Sequence, residues 1–161
     1  MNEGKLFQQM ELVRARTMKA IDAIDSKIVD IMPPNFNNTI RWHIGHILFT
    51  QESLLFRRSG EPLGLPEAYE QWFGNGTKPA DWVGMPPSIT ELVDQLQHQT
   101  GRIKECFSGR LEQQVPKAFL AMETIGEILL FSNYHEGAHM GNVNAMKRLI
   151  EANSLVFDTQ E

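Results

Sequence analysis

Hydrophobic residues recur at helical spacing along the N-terminal part of the chain. An apolar set, joined by one threonine, repeats at intervals of three or four residues, which places its members on one face of an α-helix. These residues are Leu6, Met10, Val13, Thr17, Ile21, Ile24 and Ile28. The pattern stops at Pro33-Pro34, because proline cannot continue a helix. We therefore expect a long first helix that buries this face.

A second helix is predicted from about Ile40 to Arg58. Asn37, Asn38 and Thr39 precede it and offer side-chain oxygens that can cap its first free backbone N–H groups. Gly60 marks its end. Apolar residues cover two faces of this segment, which is typical of a helix with neighbours on both sides.

A long connector follows over residues 60–87, with five prolines and five glycines. A stretch of this length is either a functional loop or lid, or it carries a short helix. It includes Trp72, Phe73 and Trp82. These aromatic residues either roof a site or simply anchor the connector, and the pattern leaves both interpretations open.

Two more helices are predicted beyond the connector. Ser88-Ile89-Thr90-Glu91 matches a capping box and opens the third helix, whose inward residues are Ile89, Leu92, Val93, Leu96, Thr100, Ile103 and Phe107. Pro116 falls in the next connection. The fourth helix runs from about Thr124 to Ala152, and its inward side carries Ile125, Leu129, Ser132, His135, His139, Val143, Met146 and Ile150.

No strand-like alternation is evident between these helices. The pattern therefore predicts an all-α protein, an antiparallel four-helix bundle with a long Gly/Pro-rich connector between helices 2 and 3. With 161 residues, of which 42% are hydrophobic and 22% charged, we expect a single globular domain over residues 1–161.

Composition and charge narrow the classes of function. The formal net charge is −5 and no run of Lys or Arg exceeds the pair Arg57-Arg58 in length, which argues against a nucleic-acid partner because phosphate neutralisation needs a basic patch. A single cysteine, Cys106, excludes an internal disulfide framework and fits a reducing cytoplasm. The charged N-terminus and the lack of long apolar runs predict neither a signal peptide nor a membrane span.

Two histidines, His135 and His139, lie one helical turn apart on the buried side of the fourth helix. Such a pair either binds a metal or fills a core, and an unpartnered buried imidazole costs about 1–3 kcal/mol. A bound Zn²⁺ can instead contribute on the order of 10 kcal/mol. The second helix offers a third ligand, His43 or His46, and helical geometry barely separates these two. Three imidazoles with open positions describe a catalytic metal site.

Residues 135–139 also match the H-E-x-x-H pattern of zinc metalloproteases, in which the glutamate, here Glu136, is the general base. That class needs a further ligand downstream, yet no histidine follows His139. Glu151 is on what looks like the same helix and cannot fold back. A zinc hydrolase is therefore the weaker interpretation.

Three segments resemble the DinB/YfiT-like superfamily of small helical metalloproteins. They are Asn38–Ile47 (NTIRWHIGHI), Phe73–Gly76 (FGNG) and Tyr134–Gly141 (YHEGAHMG). Their order and spacing extend the resemblance over nearly the whole chain. In that family one histidine of the second helix and an H-x-x-x-H pair of the last long helix hold the metal. The resemblance thus implies the ligands His46, His135 and His139, with His43 as a competitor for His46.

The resemblance also implies a divalent transition metal, Zn²⁺ or Ni²⁺ most often, with waters at the open positions. Characterised members include thiol-dependent S-transferases that use a low-molecular-weight thiol such as bacillithiol or mycothiol. A metal would lower the pKa of the thiol and hold the sulfur for attack on a small electrophilic substrate. The alternative is a non-catalytic metal-binding or stress-response module.

Glu136 is the candidate catalytic residue next to this ligand set. It would accept a hydrogen bond from a ligand ring or from a bound water, or else form a solvated or inter-helix salt bridge. Dimerisation is common in the resembling family, so a homodimer is an expected state, although no exposed heptad here demands one. Membrane and nucleic-acid partners are not expected.

Overall fold

The computed structural model describes residues 2–158, and the side chains of residues 2–153. Most of the described chain is helical, as predicted, and a small two-stranded sheet accompanies the helices. The elements are α1 (Glu3–Asp22), α2 (Ile40–Glu52), α3 (Ala68–Phe73), α4 (Ile89–Phe107), β1 (Gln114–Phe119), β2 (Met122–Thr124) and α5 (Ile125–Asp158). A π-turn (Ser53–Arg57) continues α2, and 3₁₀ turns lie at Ser26–Ile28 and Pro79–Asp81.

The start of each of two long helices follows its predicted cap. The Thr39 side chain accepts from the backbone N–H of Trp42 and so caps α2. Ser88 and Glu91 form the reciprocal capping box that opens α4, with bonds of 3.2 and 2.7 Å. Local side-chain oxygens therefore set these boundaries, as the sequence indicates.

The first helix differs from its prediction in length and in its buried face. It ends at Asp22, because Asp25 caps a separate 3₁₀ turn by accepting from the backbone N–H of Lys27. The buried face includes Arg14, whereas Val13 is only partly covered. A pattern of apolar residues could not indicate that this arginine is buried.

The expectation that strands are absent is wrong. β1 and β2 form an antiparallel hairpin in which Gln114 pairs with Thr124 and Phe119 with Met122. Its turn places Leu120 and Ala121 at φ values of 47° and 65°, a left-handed conformation that glycine and asparagine usually mark. Only Val115 of β1 is buried, so neither turn residues nor alternation revealed the hairpin.

The core has two parts, one toward each end of the helices. The upper core includes Ile21, Ile40, Ile44, Leu92, Leu96, Val143 and Met146. The lower core includes Leu6, Met10, Leu54, Leu55, Ile103, Phe107, Ile125 and Leu129. Thus α1 and α5 both begin at the lower core, while α2 and α4 both begin at the upper core.

Helix directions follow from these shared ends. α1 and α5 run one way and α2 and α4 run the other, and the packed pairs are α1 with α5, α1 with α4, α2 with α5, and α2 with α4. Two of the packed pairs are therefore parallel, which corrects the expectation of a fully antiparallel arrangement. The long segment between α2 and α4 has the length needed to return the chain to the end at which α2 began. None of the helices in the described part combines the length and apolar character needed to cross a bilayer.

Candidate metal centre

Antiparallel helices α2 and α5 bring three of the predicted histidines together. One ring nitrogen each of His46, His135 and His139 lies within 4.8 Å of the others. The Nε2 atoms of His46 and His135 are 3.2 Å apart. Three imidazoles that converge from two facing helices could hold one metal ion. The spacing of four residues between His135 and His139 places both rings on the same face of α5, as the sequence predicted.

The orientation of His46 is fixed by the connector. Its Nδ1 lies 2.7 Å from the carbonyl oxygen of Phe73. Because a carbonyl only accepts, Nδ1 carries the ring proton and Nε2 presents its lone pair toward His135. This is the tautomer that a metal-binding histidine needs, with its second nitrogen donating to a backbone carbonyl. The ring of Trp42 stacks on His46 at 4.4 Å.

Gly45 allows the connector to approach this closely. A Cβ atom at this position would lie 2.4 Å from the ring of Phe73, a distance that real side chains do not reach. Phe73 is fully buried against α2, so its ring occupies the space that a larger residue would fill. Of the two roles considered for the aromatic residues, Trp72 and Trp82 serve to anchor the connector, because Trp82 Nε1 donates to the Trp72 carbonyl at 2.7 Å.

His43 lies beside the three-histidine group and contacts one of its members. Its Nδ1 is 2.8 Å from Nδ1 of His139. The group that meets the common distance contains His46 and not His43. If His139 donates its Nδ1–H to His43, the Nε2 lone pair of His139 is left for a metal, which is the arrangement of an outer hydrogen-bonding partner.

Burial keeps these imidazoles neutral. It lowers the pKa of His43 and of His135 to about 4, with repulsion from His46 as the smaller cause. It lowers the pKa of His139 to about 3, aided by the three neighbouring rings. Burial also lowers the pKa of His46, against the opposing effect of the Phe73 carbonyl. Neutral imidazole is the form that binds metals, so the set is ready to do so at neutral pH.

Glu136, the predicted catalytic residue, lies on the core side of α5 and is almost fully buried. Its Oε1 accepts from Nε of Arg14 at 3.0 Å, and its Oε2 accepts from Nη2 of the same arginine at 3.1 Å. Glu136 thus makes the inter-helix salt bridge that the sequence left open, buried rather than solvated. A direct catalytic role for it stays a prediction.

Arg14 is a residue that the sequence analysis missed. Besides Glu136 it donates to the side chains of Gln51 and Gln99, at 2.7 and 3.2 Å, and to the carbonyl of Leu96. Gln99 in turn donates to Glu52 at 2.9 Å. The available signal was its position, four residues after Met10 on the apolar face of α1. This Arg14 network spans all four long helices.

A cleft of about 480 Å³ adjoins the histidine group. His46 and His135 lie in its wall, together with side chains from the α2 segment, the connector, β1 and α5. The other lining residues are Phe49, Thr50, Ser53, Leu54, Glu70, Gly74, Asn75, Phe119 and Phe131. Sequence analysis did not find Phe119, because the hairpin that carries it was itself not predicted. The site therefore combines a metal-binding set with a space for a small molecule.

Comparisons with known proteins give one family match and one structural match. Residues 9–143 match the family model of the DinB superfamily. A crystal structure described as a conserved protein from Enterococcus faecalis aligns with a TM-score of 0.66 at 12% identity, over 94% of this chain and 98% of that one. At this identity the likeness shows the fold alone. No curated protein gives a significant match.

Proposed function

Because this chain belongs to the DinB superfamily, we propose that it is a metal-dependent enzyme that transfers a low-molecular-weight thiol to a small electrophile. The proposed ligands are His46, His135 and His139, with Zn²⁺ or Ni²⁺ as the metal. The observation that carries the proposal is the convergence of three neutral imidazoles within 4.8 Å at the wall of a cleft. The combination of a possible metal-binding set and a substrate-sized space favours catalysis over a non-catalytic metal-binding role.

The residues present suit such a metal. Neutral imidazole nitrogen is a good donor for both Zn²⁺ and Ni²⁺, and the Phe73 carbonyl holds His46 in the binding tautomer. Among the residues that the structure describes, no cysteine or carboxylate joins the three-histidine group. A set of three protein ligands leaves positions for water or substrate, as in catalytic rather than structural sites.

A bound metal would supply a lowered thiol pKa and a fixed sulfur position. The side chains of the protein would position the metal and limit the access of water. His46, His135 and His139 orient the centre toward the cleft, and the apolar walls of Phe49, Phe131 and their neighbours reduce water near the thiolate. In the transfer, a bond forms between sulfur and the electrophilic carbon, the bond to the leaving group breaks with its electron pair, and the thiol proton passes to solvent.

Glu136 enters the proposal as a positioning residue. Its salt bridge with Arg14 holds the turn of α5 between the two histidines of that helix. A zinc hydrolase, with Glu136 as general base, is not proposed, since both carboxylate oxygens already accept from Arg14. Glu136→Gln therefore tests positioning: we expect reduced metal affinity and thermal stability with an unchanged pH profile of turnover.

Further parts of the proposal concern organisation. We propose one domain over residues 1–161, in which α1, α2, α4 and α5 form a single four-helix bundle. The free thiol of Cys106 supports a reducing cytoplasmic location. Homodimerisation is proposed from the family resemblance, and the net charge of −5 supports a small-molecule rather than a nucleic-acid partner.

The experiment that tests this function measures metal content and turnover in matched variants. His46→Ala and His139→Ala remove proposed ligands, and His98→Ala removes an exposed histidine of α4 as the control. We expect one metal per chain in the wild type and the control and background metal in the two ligand variants. Turnover of a fluorogenic alkylating agent should require both metal and added thiol.

The alternatives correspond to distinct outcomes. Metal binding without thiol-dependent turnover would favour the non-catalytic binding or stress-response module. Equal metal content in all four proteins would reject the ligand assignment itself.

A further inference from the structure

Apolar side chains form a large part of the lining of the cleft beside the histidine group. Phe49, Leu54, Phe119 and Phe131 belong to this lining, and the part of the cleft next to His46 and His135 is its histidine end. Phe119 and Phe131 pack edge to face with centroids 5.4 Å apart, so one wall presents an aromatic corner formed by β1 and α5. An occupant that fits this wall carries an aromatic or other apolar body.

Two arginines contact aromatic rings of the cleft lining without belonging to that lining themselves, Arg57 at Phe49 and Arg58 at Phe119, and one of the two is neutralised. Arg57 lies 5.8 Å from the ring centroid of Phe49 and binds Glu70 through two bonds of 2.8 Å. The guanidinium of Arg57 lowers the pKa of Glu70, so the carboxylate is ionised and the pair has no net charge. Arg57 therefore offers little attraction to an anionic ligand.

Arg58 is different, because it has no ion-pair partner among the side chains that the structure describes. Its Cζ lies 4.4 Å from the ring centroid of Phe119, and the side chain is half-buried. Within the described part of the chain, no carboxylate lies at ion-pair distance from Arg58. A guanidinium held over an aromatic ring keeps its N–H fork available for a carboxylate or phosphate.

We propose that this cleft selects an electrophilic substrate with an apolar or aromatic body and an anionic group, with Arg58 as the residue that recognises the anion. The apolar body packs on Phe119 and Phe131, and the anionic group binds Arg58 at the hairpin side. The electrophilic carbon then points to the histidine end. The inference rests on the proposed function only for the position of the reacting centre.

The test uses two probes with the same phenylalkyl body, the anionic 4-phenylbutyrate and the neutral 4-phenylbutan-1-ol, with binding measured by titration calorimetry on the protein as purified. We expect the wild type to prefer the acid by about fivefold, the order expected of one partly exposed ion pair. Arg58→Met should abolish that preference by weakening acid binding while leaving alcohol binding unchanged, and Arg58→Lys should restore part of it. Arg148→Met, an exposed arginine on the distal half of α5, serves as the matched control and should bind both probes like the wild type.

Phe131→Leu gives the second arm, with both probes expected to bind severalfold more weakly because the aromatic corner is lost. An acid preference that persists in Arg58→Met would overturn the proposal, since the carboxylate would then be held elsewhere, such as at the metal. Equal binding of acid and alcohol to the wild type would also overturn it. A protein without thiol-dependent turnover that still shows the Arg58-dependent preference would reject only the transferase proposal.

Discussion

Buried polar side chains form two groups along α2 and α5, one centred on Arg14 and the other on the histidines. In the Arg14 network a positive charge meets the negative charge of Glu136, and amide side chains take up the remaining donors. In the histidine group three imidazoles meet with His43 beside them, no carboxylate of the described residues joins the three, and burial opposes their protonation. The first group pairs its charges within the chain, whereas three rings of the second could hold a cation between them. The comparison contrasts buried polarity that supports the fold with buried polarity that could bind a ligand.

Replacing Arg14 should have the largest effect on stability. Arg14→Met leaves Glu136 buried without a counter-charge, so we expect the free energy of unfolding to fall by about 3–5 kcal/mol. Urea unfolding measures the change, and Arg16→Met, exposed on the same helix, should stay within about 0.5 kcal/mol of the wild type. The double variant Arg14→Met/Glu136→Leu should recover much of the loss. A loss below about 1 kcal/mol for Arg14→Met would mean that the network is not a self-contained ion pair.

Removing a bound metal should lower the stability that the histidine group provides and leave the Arg14 network unchanged. At a metal concentration of 100 to 1,000 times the dissociation constant, binding stabilises the native state by about 2.7–4.1 kcal/mol. We therefore expect a chelator to lower the melting temperature of the wild type and of the exposed-histidine control His98→Ala. His135→Ala should melt at the same temperature with and without chelator. An unresponsive wild type would contradict a metal at this group.

The next comparison distinguishes His43 from His46. His43 contacts His139 but lies outside the three-histidine group, so His43→Ala should weaken metal binding by about 10- to 100-fold, as loss of an outer partner does. His46→Ala should abolish binding under the same conditions. Competition titration with a metal-sensitive dye measures both affinities. If His43→Ala abolished binding and His46→Ala did not, the ligand assignment would be reversed.

Two helical glycines should respond in opposite directions. Gly45→Ala forces the ring of Phe73 aside and should cost about 1–3 kcal/mol through overpacking, with weaker metal binding because His46 loses its carbonyl partner. A Cβ at Gly137 meets nothing within 4 Å, so Gly137→Ala should gain about 0.5–1 kcal/mol from helix propensity. Thermal unfolding of the pair measures both. Equal effects would show that the approach of Phe73 does not depend on Gly45.

Local signals carried much of the sequence prediction. Thr39 and the pair Ser88 and Glu91 cap helices where expected, because capping depends only on residues within one turn. His135 and His139 share a helix face for the same reason. The choice of His46 needed the family resemblance, since its orientation is set by the backbone carbonyl of Phe73, which lies 2.7 Å from Nδ1 of His46 but 27 residues away in the sequence.

The remaining features depend on contacts that sequence patterns do not contain. In the sequence, Arg14 only interrupts an apolar helix face. Its role depends on the packing of α1 on α5, which brings Glu136 opposite it. The turn of the hairpin has left-handed backbone at Leu120 and Ala121, and neither position holds the glycine or asparagine from which such a turn is usually predicted. Since the hairpin was not expected, neither the place of Phe119 in the cleft lining nor its contact with Arg58 could be predicted.

The π-turn at Ser53–Arg57 separates two tasks along one continuous helical segment. A π-turn accommodates one residue more than an α-turn, and each residue of an α-helix corresponds to a rotation of about 100°. Because the π-turn absorbs this extra residue, deleting one residue within it would restore α-helical geometry, while His46 before it and Arg58 after it would keep their register. Variation in this turn would therefore change the cleft lining that Ser53 and Leu54 provide, while the helical residues on both sides stay in place.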